Sequence, residues 1–368
     1  MLDIARFWLD STPAAVGRRE PPDLHGASGG LLERRDAPER QEAQTLPFVS
    51  VVVVAHGGQA ALAQCLDALE AQTYPTDRME VIVVGTSPHD SALARMVAAV
   101  ARRRPGLRLR YATRAAHRGT AAARNSGWRF ARGQLVGFTE DAAIPSREWV
   151  EAAASAFGPD VDVISGTVIT PLAARPTAAA LRTAERMHAP WSGANVFYRR
   201  TVLARLGGFD ERFTSGFLAD TDLALAALQA RARFGTAERA VVVRNQAGQG
   251  WLTLLRETRE HFDEALLFRK YPQLYGRYVR RAPPMGHYAA AGALLFAMAG
   301  ALSRRRGLAR AGGAVWLSLL LLAFGGAARR TSDHPRDLAG LLLVTTLAPV
   351  AAVAFRLAGA VRHRVWFV

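Results

Sequence analysis

An α/β domain built on a mostly parallel sheet, followed by an all-α membrane region, is the fold class this 368-residue chain predicts. Three observations predict it. Short β-branched runs alternate with segments of helical spacing between residues 47 and 140. Three long apolar runs close the chain. Arginines crowd the ends of those runs, as membrane interfaces select. Hydrophobic residues make up 50% and charged ones 21%, which excludes a largely disordered chain. The single cysteine, Cys65, excludes a disulfide framework and any cysteine-rich zinc site.

Residues 48–54 form a continuous β-branched run, as a strand buried on both faces would. Leu62, Cys65, Leu66 and Leu69 then fall at helical spacing within 58–72. A second strand is expected at 79–84, a helix at 91–103 and a third strand at 107–111. A helix at 121–131 and a fourth strand at 135–139 follow. Strands alternating with helices imply βαβ units, whose ligands sit beyond the carboxyl ends of the strands. Residues 1–46 mix charge, Pro and Gly without an apolar period, so a disordered or loosely ordered tail is expected. Phe7-Trp8-Leu9 is too short for a secretory core, which leaves the N-terminus on the cytoplasmic side.

Residues 286–303 and 311–328 carry no Asp, Glu, Lys or Arg, and 338–361 is interrupted only by Pro349 and Arg356. Each approaches the roughly 20 apolar residues a membrane span needs, so two to three spans are expected over 286–368. A buried hairpin of core helices is the alternative. Four arginines in 304–310 fit the positive-inside rule awkwardly if that loop faces away from the sheet domain. Between sheet and spans, residues 251–285 are rich in Arg, Leu and aromatics, with Leu252, Leu255, Phe262 and Leu266 able to share one helical face. Such helices lie in the headgroup plane or pack on the soluble domain. The net charge of +16 divides unevenly: −2 over 1–46, +7 over 47–250 and +11 over 251–368. Charge that accompanies apolar runs points to membrane lipids. Nucleic acid is not an expected partner, since no recognition module or aromatic-laced basic stripe is present.

The order of short motifs is more specific. Val49-Ser50-Val51-Val52-Val53 precedes Cys65-Leu66-Asp67-Ala68-Leu69 and Gln72-Thr73-Tyr74-Pro75, then Glu80-Val81-Ile82-Val83-Val84. Arg118-Gly119, Ala123-Arg124-Asn125-Ser126-Gly127 and Ala131-Arg132-Gly133 follow. Gly193-Ala194-Asn195, Tyr198-Arg199-Arg200, Gly207-Gly208-Phe209-Asp210-Glu211 and Asp220-Thr221-Asp222-Leu223 complete the set. In this order the blocks resemble a family 2 glycosyltransferase domain over about residues 47–250, running on to about 270. The resemblance implies the GT-A fold, a nucleotide-binding sheet with flanking helices, and a nucleotide-sugar donor.

The implied roles match what sugar transfer requires. Charge grows on a departing nucleoside diphosphate and must be absorbed by a divalent ion or fixed cations. The family's acidic cluster falls on Glu140 and Asp141, whose hard oxygens suit Mg²⁺ or Mn²⁺; a turn-capping role is the alternative. The acceptor hydroxyl needs a base, and alignment puts Asp220 there, with a helix N-cap as the competing use. Arg118, Arg124 and Asn125 lie where the family contacts the donor or fixes the loop beneath it. Arginine's planar fork suits a diphosphate. Asn195 and Arg199 belong to the acceptor-side block, with Asp222 beside it or bracing the next helix.

Several family residues are replaced. Gly85-Thr86 stands where an aspartate pair usually reads the base, so either His56 or Thr86 takes over that contact or the donor is other than a uridine nucleotide. Ala142 replaces the last acid of the cluster, and Ala219 the glutamate before the base. The Gln-x-x-Arg-Trp motif of processive synthases is not visible after Asp220, which implies one sugar per binding event. The expectation is a membrane-anchored, inverting glycosyltransferase acting on a lipid-linked or polysaccharide-precursor acceptor. It would be a multi-pass protein of the plasma (inner) membrane with its catalytic domain in the cytoplasm. A degenerate, non-catalytic domain that binds nucleotide or scaffolds a glycan-assembly complex is the alternative.

Overall fold

Seven consecutive positions from Val49 to Ala55 are buried, and the same holds for Met79 to Gly85. Only strands covered on both faces can bury every residue of such a run. The computed structural model describes residues 46–56, 58–86, 91–112, 119–189, 191–245, 250–279 and 284–367. All but the last residue of the expected tail, and Arg118, fall outside the described residues.

In chain order the soluble part comprises β1 (Val49–Ala55), α1 (Gln59–Glu70), β2 (Met79–Gly85), α2 (Ser91–Arg103), β3 (Leu109–Ala112) and α3 (Gly119–Phe130). Next come β4 (Leu135–Glu140), β5 (Ala143–Pro145), α4 (Trp149–Ser155), β6 (Val163–Ile169) and α5 (Ala178–Met187). β7 (Val196–Arg199), α6 (Arg200–Leu206), α7 (Gly216–Gln229) and β8 (Phe234–Arg244) complete it. The sheet order is β3-β2-β1-β4-β7-β6-β8-β5. β1, β2, β3 and β4 run parallel, β7 is antiparallel to β4, and β6 and β8 return to the parallel direction. This is a mixed sheet, more antiparallel in its second half than the alternating strands alone suggested. The carboxyl ends of β1, β4 and β8 meet at one edge.

Alternate valines of β1 feed two core layers. Val52 and Val54 join Ile82, Phe138 and Tyr198 on one face, while Val49, Val51 and Val53 pack with Leu62, Leu66 and Leu69 of α1 on the other. Burying each such leucine stabilises the fold by about 1.5–3 kcal/mol before entropy is counted. A buried carboxylate pins strand β2 to its neighbours: Glu80 accepts from Ser50 Oγ at 2.7 Å, Arg132 N–H at 2.8 Å and Arg110 Nη1 at 2.8 Å.

Beyond the sheet lie α8 (Trp251–Glu257) and α9 (Glu260–Lys270), then α10 (Met285–Leu302), α11 (Arg306–Ala328) and α12 (Pro335–His363). The last three are long and apolar enough to cross a membrane. Ala265, Leu266 and Leu267 of α9 sit in the same core as the sheet, whereas Leu252 of α8 is half exposed. α12 runs alongside both helices. Its Gly340 lies against Trp251, and a Cβ at Gly359 would stand 2.5 Å from the carbonyl oxygen of Phe262. Arg356, the charge inside the third apolar run, donates to Glu264 of α9 at 2.9 Å. An unpaired charge at that place would be expensive, so the pair accounts for it.

Candidate active site

Four side chains of alternating charge cross the floor of a cleft at the carboxyl edge of the sheet. Asp220 lies in the second turn of α7, whose N-cap is Ser215, so Asp220 does not cap the helix. Its Oδ1 accepts from Arg124 Nη1 at 2.6 Å and its Oδ2 from Gly193 N–H at 2.8 Å. Arg124, on α3, reaches with Nη2 to Glu140 Oε1 at 3.5 Å. Arg244, the last residue of β8, donates from Nε to Glu140 Oε2 at 3.3 Å. Glu140 ends β4 and Asp141 opens the turn after it, so neither caps α4, whose N-cap is Glu148. A Cβ at Gly193 would lie 2.2 Å from Arg124 Nη2, so only glycine lets the guanidinium pass there.

Burial sets the protonation of the two central carboxylates apart. It pushes Asp220 up to about 7, a rise that Arg124 and the Gly193 amide oppose and Glu140 assists. Burial would raise Glu140 too, but Arg244, His56 and Arg124 outweigh it and hold that carboxyl below its usual range. Two carboxyls with such separated affinities for protons are suited to different tasks, one ionised throughout and one able to exchange a proton near neutrality.

The cleft encloses about 860 Å³, within the usual range for small-molecule sites. His56, Gln59, Gln64, Thr120, Thr183, Arg186, Ser215 and Phe217 are among the residues that line it. Glu140, Asp141, Asp220, Arg124 and Arg244 all open onto it. A second cavity of about 140 Å³ lies between α9 and the apolar helices, and Glu257 lines both. It holds none of the cleft-floor carboxylates.

The structure thus brings together His56, Arg124, Glu140, Asp141 and Asp220 of the residues singled out in the sequence. Arg118 lies outside the described residues, and the rest lie elsewhere. Asn125 is spent on Phe209 and Glu211, donating at 2.8 Å to each and accepting from Trp128 Nε1 at 2.9 Å. Asn195 donates to the carbonyls of Thr167 and Ala240 at 2.9 and 2.8 Å and accepts from Trp149 Nε1 at 2.8 Å. Arg199 clamps the loop before β6 through Val161 O at 2.7 Å and Gly158 O at 2.6 Å. Asp222 faces away from the cleft and pairs with Lys270, which also holds Asp210 at 2.9 Å. Thr86 follows β2 and is not part of the cleft lining, its carbonyl accepting from Gly119 N–H at 3.3 Å. Sequence reasoning missed Arg244 and Arg186. The run Ala240-Val241-Val242-Val243 reads as a strand, and inspecting its carboxyl end would have found Arg244.

Among the described residues no three His, Cys, Asp or Glu side chains converge as a metal site. Both Glu140 oxygens face guanidiniums, Ala142 offers no carboxylate, and one Asp141 oxygen accepts the His56 amide at 2.8 Å. A divalent cation would have to share three of the four carboxylate oxygens with two guanidiniums and a backbone amide, with the arginine charges beside it, and this donor set fits one poorly.

Comparison with known proteins agrees with the geometry. The family model described as Glycosyl transferase family 2 matches residues 50–208. Glycosyltransferase AglE of Haloferax volcanii is 31% identical over 127 residues, 34% of this chain and 40% of that protein. The match therefore spans less than half the length of that curated relative. Mannosyltransferase PcManGT from Pyrobaculum calidifontis, solved with GDP-Man and Mn²⁺, superposes with a TM-score of 0.52 at 21% identity. That likeness covers 99% of this chain and 96% of the other, and it is a likeness of fold.

Proposed function

We propose that this chain, which carries a family 2 glycosyl transferase domain of GT-A fold, is a membrane-anchored, inverting enzyme that moves one sugar at a time from a nucleotide donor. The observation that carries the reading is Asp220. It is a buried carboxylate open to the cleft, held by Arg124 and the Gly193 amide, with its proton affinity raised to about 7. A general base works best with a pKa near the operating pH.

In this reading the donor's diphosphate lies over the arginine side of the floor and its sugar faces Asp220. The acceptor hydroxyl attacks C1 from the side opposite the diphosphate. Its proton passes to an Asp220 carboxylate oxygen, and the electron pair of the C1–O bond leaves with the diphosphate. Arg124 orients Asp220 and keeps part of its charge opposite a cation, while Gly193 fixes the second oxygen. Glu140 stays ionised and spaces the two arginines. The three apolar helices beside the domain favour an acceptor that is lipid-linked or a polysaccharide precursor, reached at a plasma (inner) membrane from the cytoplasmic side.

The replacements at 85–86, 142 and 219 favour a second reading, a non-catalytic domain that binds nucleotide within a membrane glycan-assembly complex. Calorimetric titration of the detergent-solubilised chain with a panel of nucleoside diphosphates, paired with a sugar-transfer assay, separates the two. Binding of one nucleotide with transfer lost in Asp220→Asn is the expected result. Binding without transfer in the native chain supports the second reading, and no binding to folded protein removes the donor site altogether.

A further inference from the structure

Resting on the transferase reading, we infer that Arg244, together with Arg124, neutralises the donor's diphosphate in place of a divalent cation. The register of two strands places it. Ala143 pairs with Arg244 across the antiparallel β5–β8 ladder, and Asn245 N–H donates to the Ala142 carbonyl at 3.2 Å. The arginine therefore stands beside the very position where the acidic cluster has lost its last carboxylate. An alanine stands where the family pattern has a carboxylate, and a fixed positive charge stands beside it on the strand hydrogen-bonded to that turn.

The remaining acid is arranged to hold the cations and leaves little for a metal. Glu140 receives Arg244 at 3.3 Å through one oxygen and Arg124 at 3.5 Å through the other. Both guanidinium groups line the cleft, and Arg244 keeps only about a tenth of its side chain exposed, so water screens it weakly. A guanidinium stays protonated at any working pH and donates in a planar fork that fits phosphate oxygens. When the C1–O bond breaks, its electron pair settles on the diphosphate oxygen. The two arginines then meet the charge that a bound dication would otherwise absorb, as fixed donors that need no reorganisation.

The test uses the full chain in detergent and calorimetric titration with UDP, GDP, ADP and CDP, each in EDTA and in Mn²⁺. Whichever nucleotide binds should do so with a Kd that EDTA changes less than about twofold. Arg244→Gln should weaken that binding at least about tenfold, with Arg244→Lys recovering part of it. In the double variant Ala142→Asp with Arg244→His, binding should become dependent on Mn²⁺. Loss of wild-type binding in EDTA overturns the inference while leaving the transferase reading in place. So does an Arg244→Gln protein that melts normally and binds like the wild type. If Arg244→Gln does not fold, the EDTA arm on the native chain decides alone. No nucleotide binding to the folded native chain overturns both readings.

Discussion

Two buried arginine–carboxylate pairs stand in different settings, one on the floor of the cleft and one where the sheet domain meets the apolar helices. In the cleft, Arg124 meets Asp220 at 2.6 Å; at the junction with the apolar helices, Arg356 meets Glu264 at 2.9 Å. Both arginines are almost wholly buried, so composition and burial do not distinguish them. Their neighbours do. One Glu264 oxygen gathers Arg356, His261 at 3.2 Å and Tyr275 at 3.3 Å, a polar knot that ties α9 to α12. Asp220 opens onto an 860 Å³ cleft, with a second carboxylate and a second arginine in line behind its partner. On the proposed reading the same chemical pair is a latch where His261 and Tyr275 converge on it beside the small cavity, and a reaction site where it opens onto the large cleft.

Mutation should separate them. Asp220→Asn is expected to lower sugar transfer about 10²- to 10⁴-fold while leaving nucleotide affinity within a few-fold. A turnover within tenfold of the native chain would make the cleft pair a second latch. Arg356→Met alone should destabilise the protein by about 3–5 kcal/mol, because it strands Glu264 without its cation. Combining it with Glu264→Leu should restore most of the melting temperature, and neither change should alter nucleotide affinity. Gly193→Ala drives a methyl into Arg124 and should cost roughly 1–3 kcal/mol of stability, with transfer reduced alongside it. A variant with native stability and rate would show that Arg124 can move. The smallest effect is on pH. Asp220 must be ionised to accept a proton, and its affinity is raised to about 7, so transfer should fall about tenfold per unit below that value. Above it the rate should level off, and a flat profile from 5 to 8 would remove Asp220 as the base.

The parallel half of the sheet was legible because its strands are buried on both faces and announce themselves as continuous valine runs. Strands expected at 48–54, 79–84 and 135–139 correspond to β1, β2 and β4 within two residues at either end. The second half was not read. β5 is three residues long, and β8 alternates exposed and buried positions, with Glu238 and Arg239 in its middle. Its pairing with β5 is a long-range contact that no local period encodes. The run 240–243 marks Arg244 as the end of a strand, but its place on the cleft floor comes from that pairing. Asn125, Asn195 and Asp222 show the reverse problem. A polar residue inside a motif reads the same in sequence whether its side chain turns toward a ligand or is consumed by backbone and neighbouring groups.

The contact of α12 with α8 and α9 carries a mechanical consequence. Gly340 against Trp251 and Gly359 against Phe262 are separated by about 28 Å of helix, at 1.5 Å per residue. With the Arg356–Glu264 latch near one end, that seam ties the third apolar helix to α8 and α9 over most of its length. On the proposed reading that seam sets the height of the cleft above a bilayer, like the gap of a caliper, and an acceptor would have to present its hydroxyl at that height.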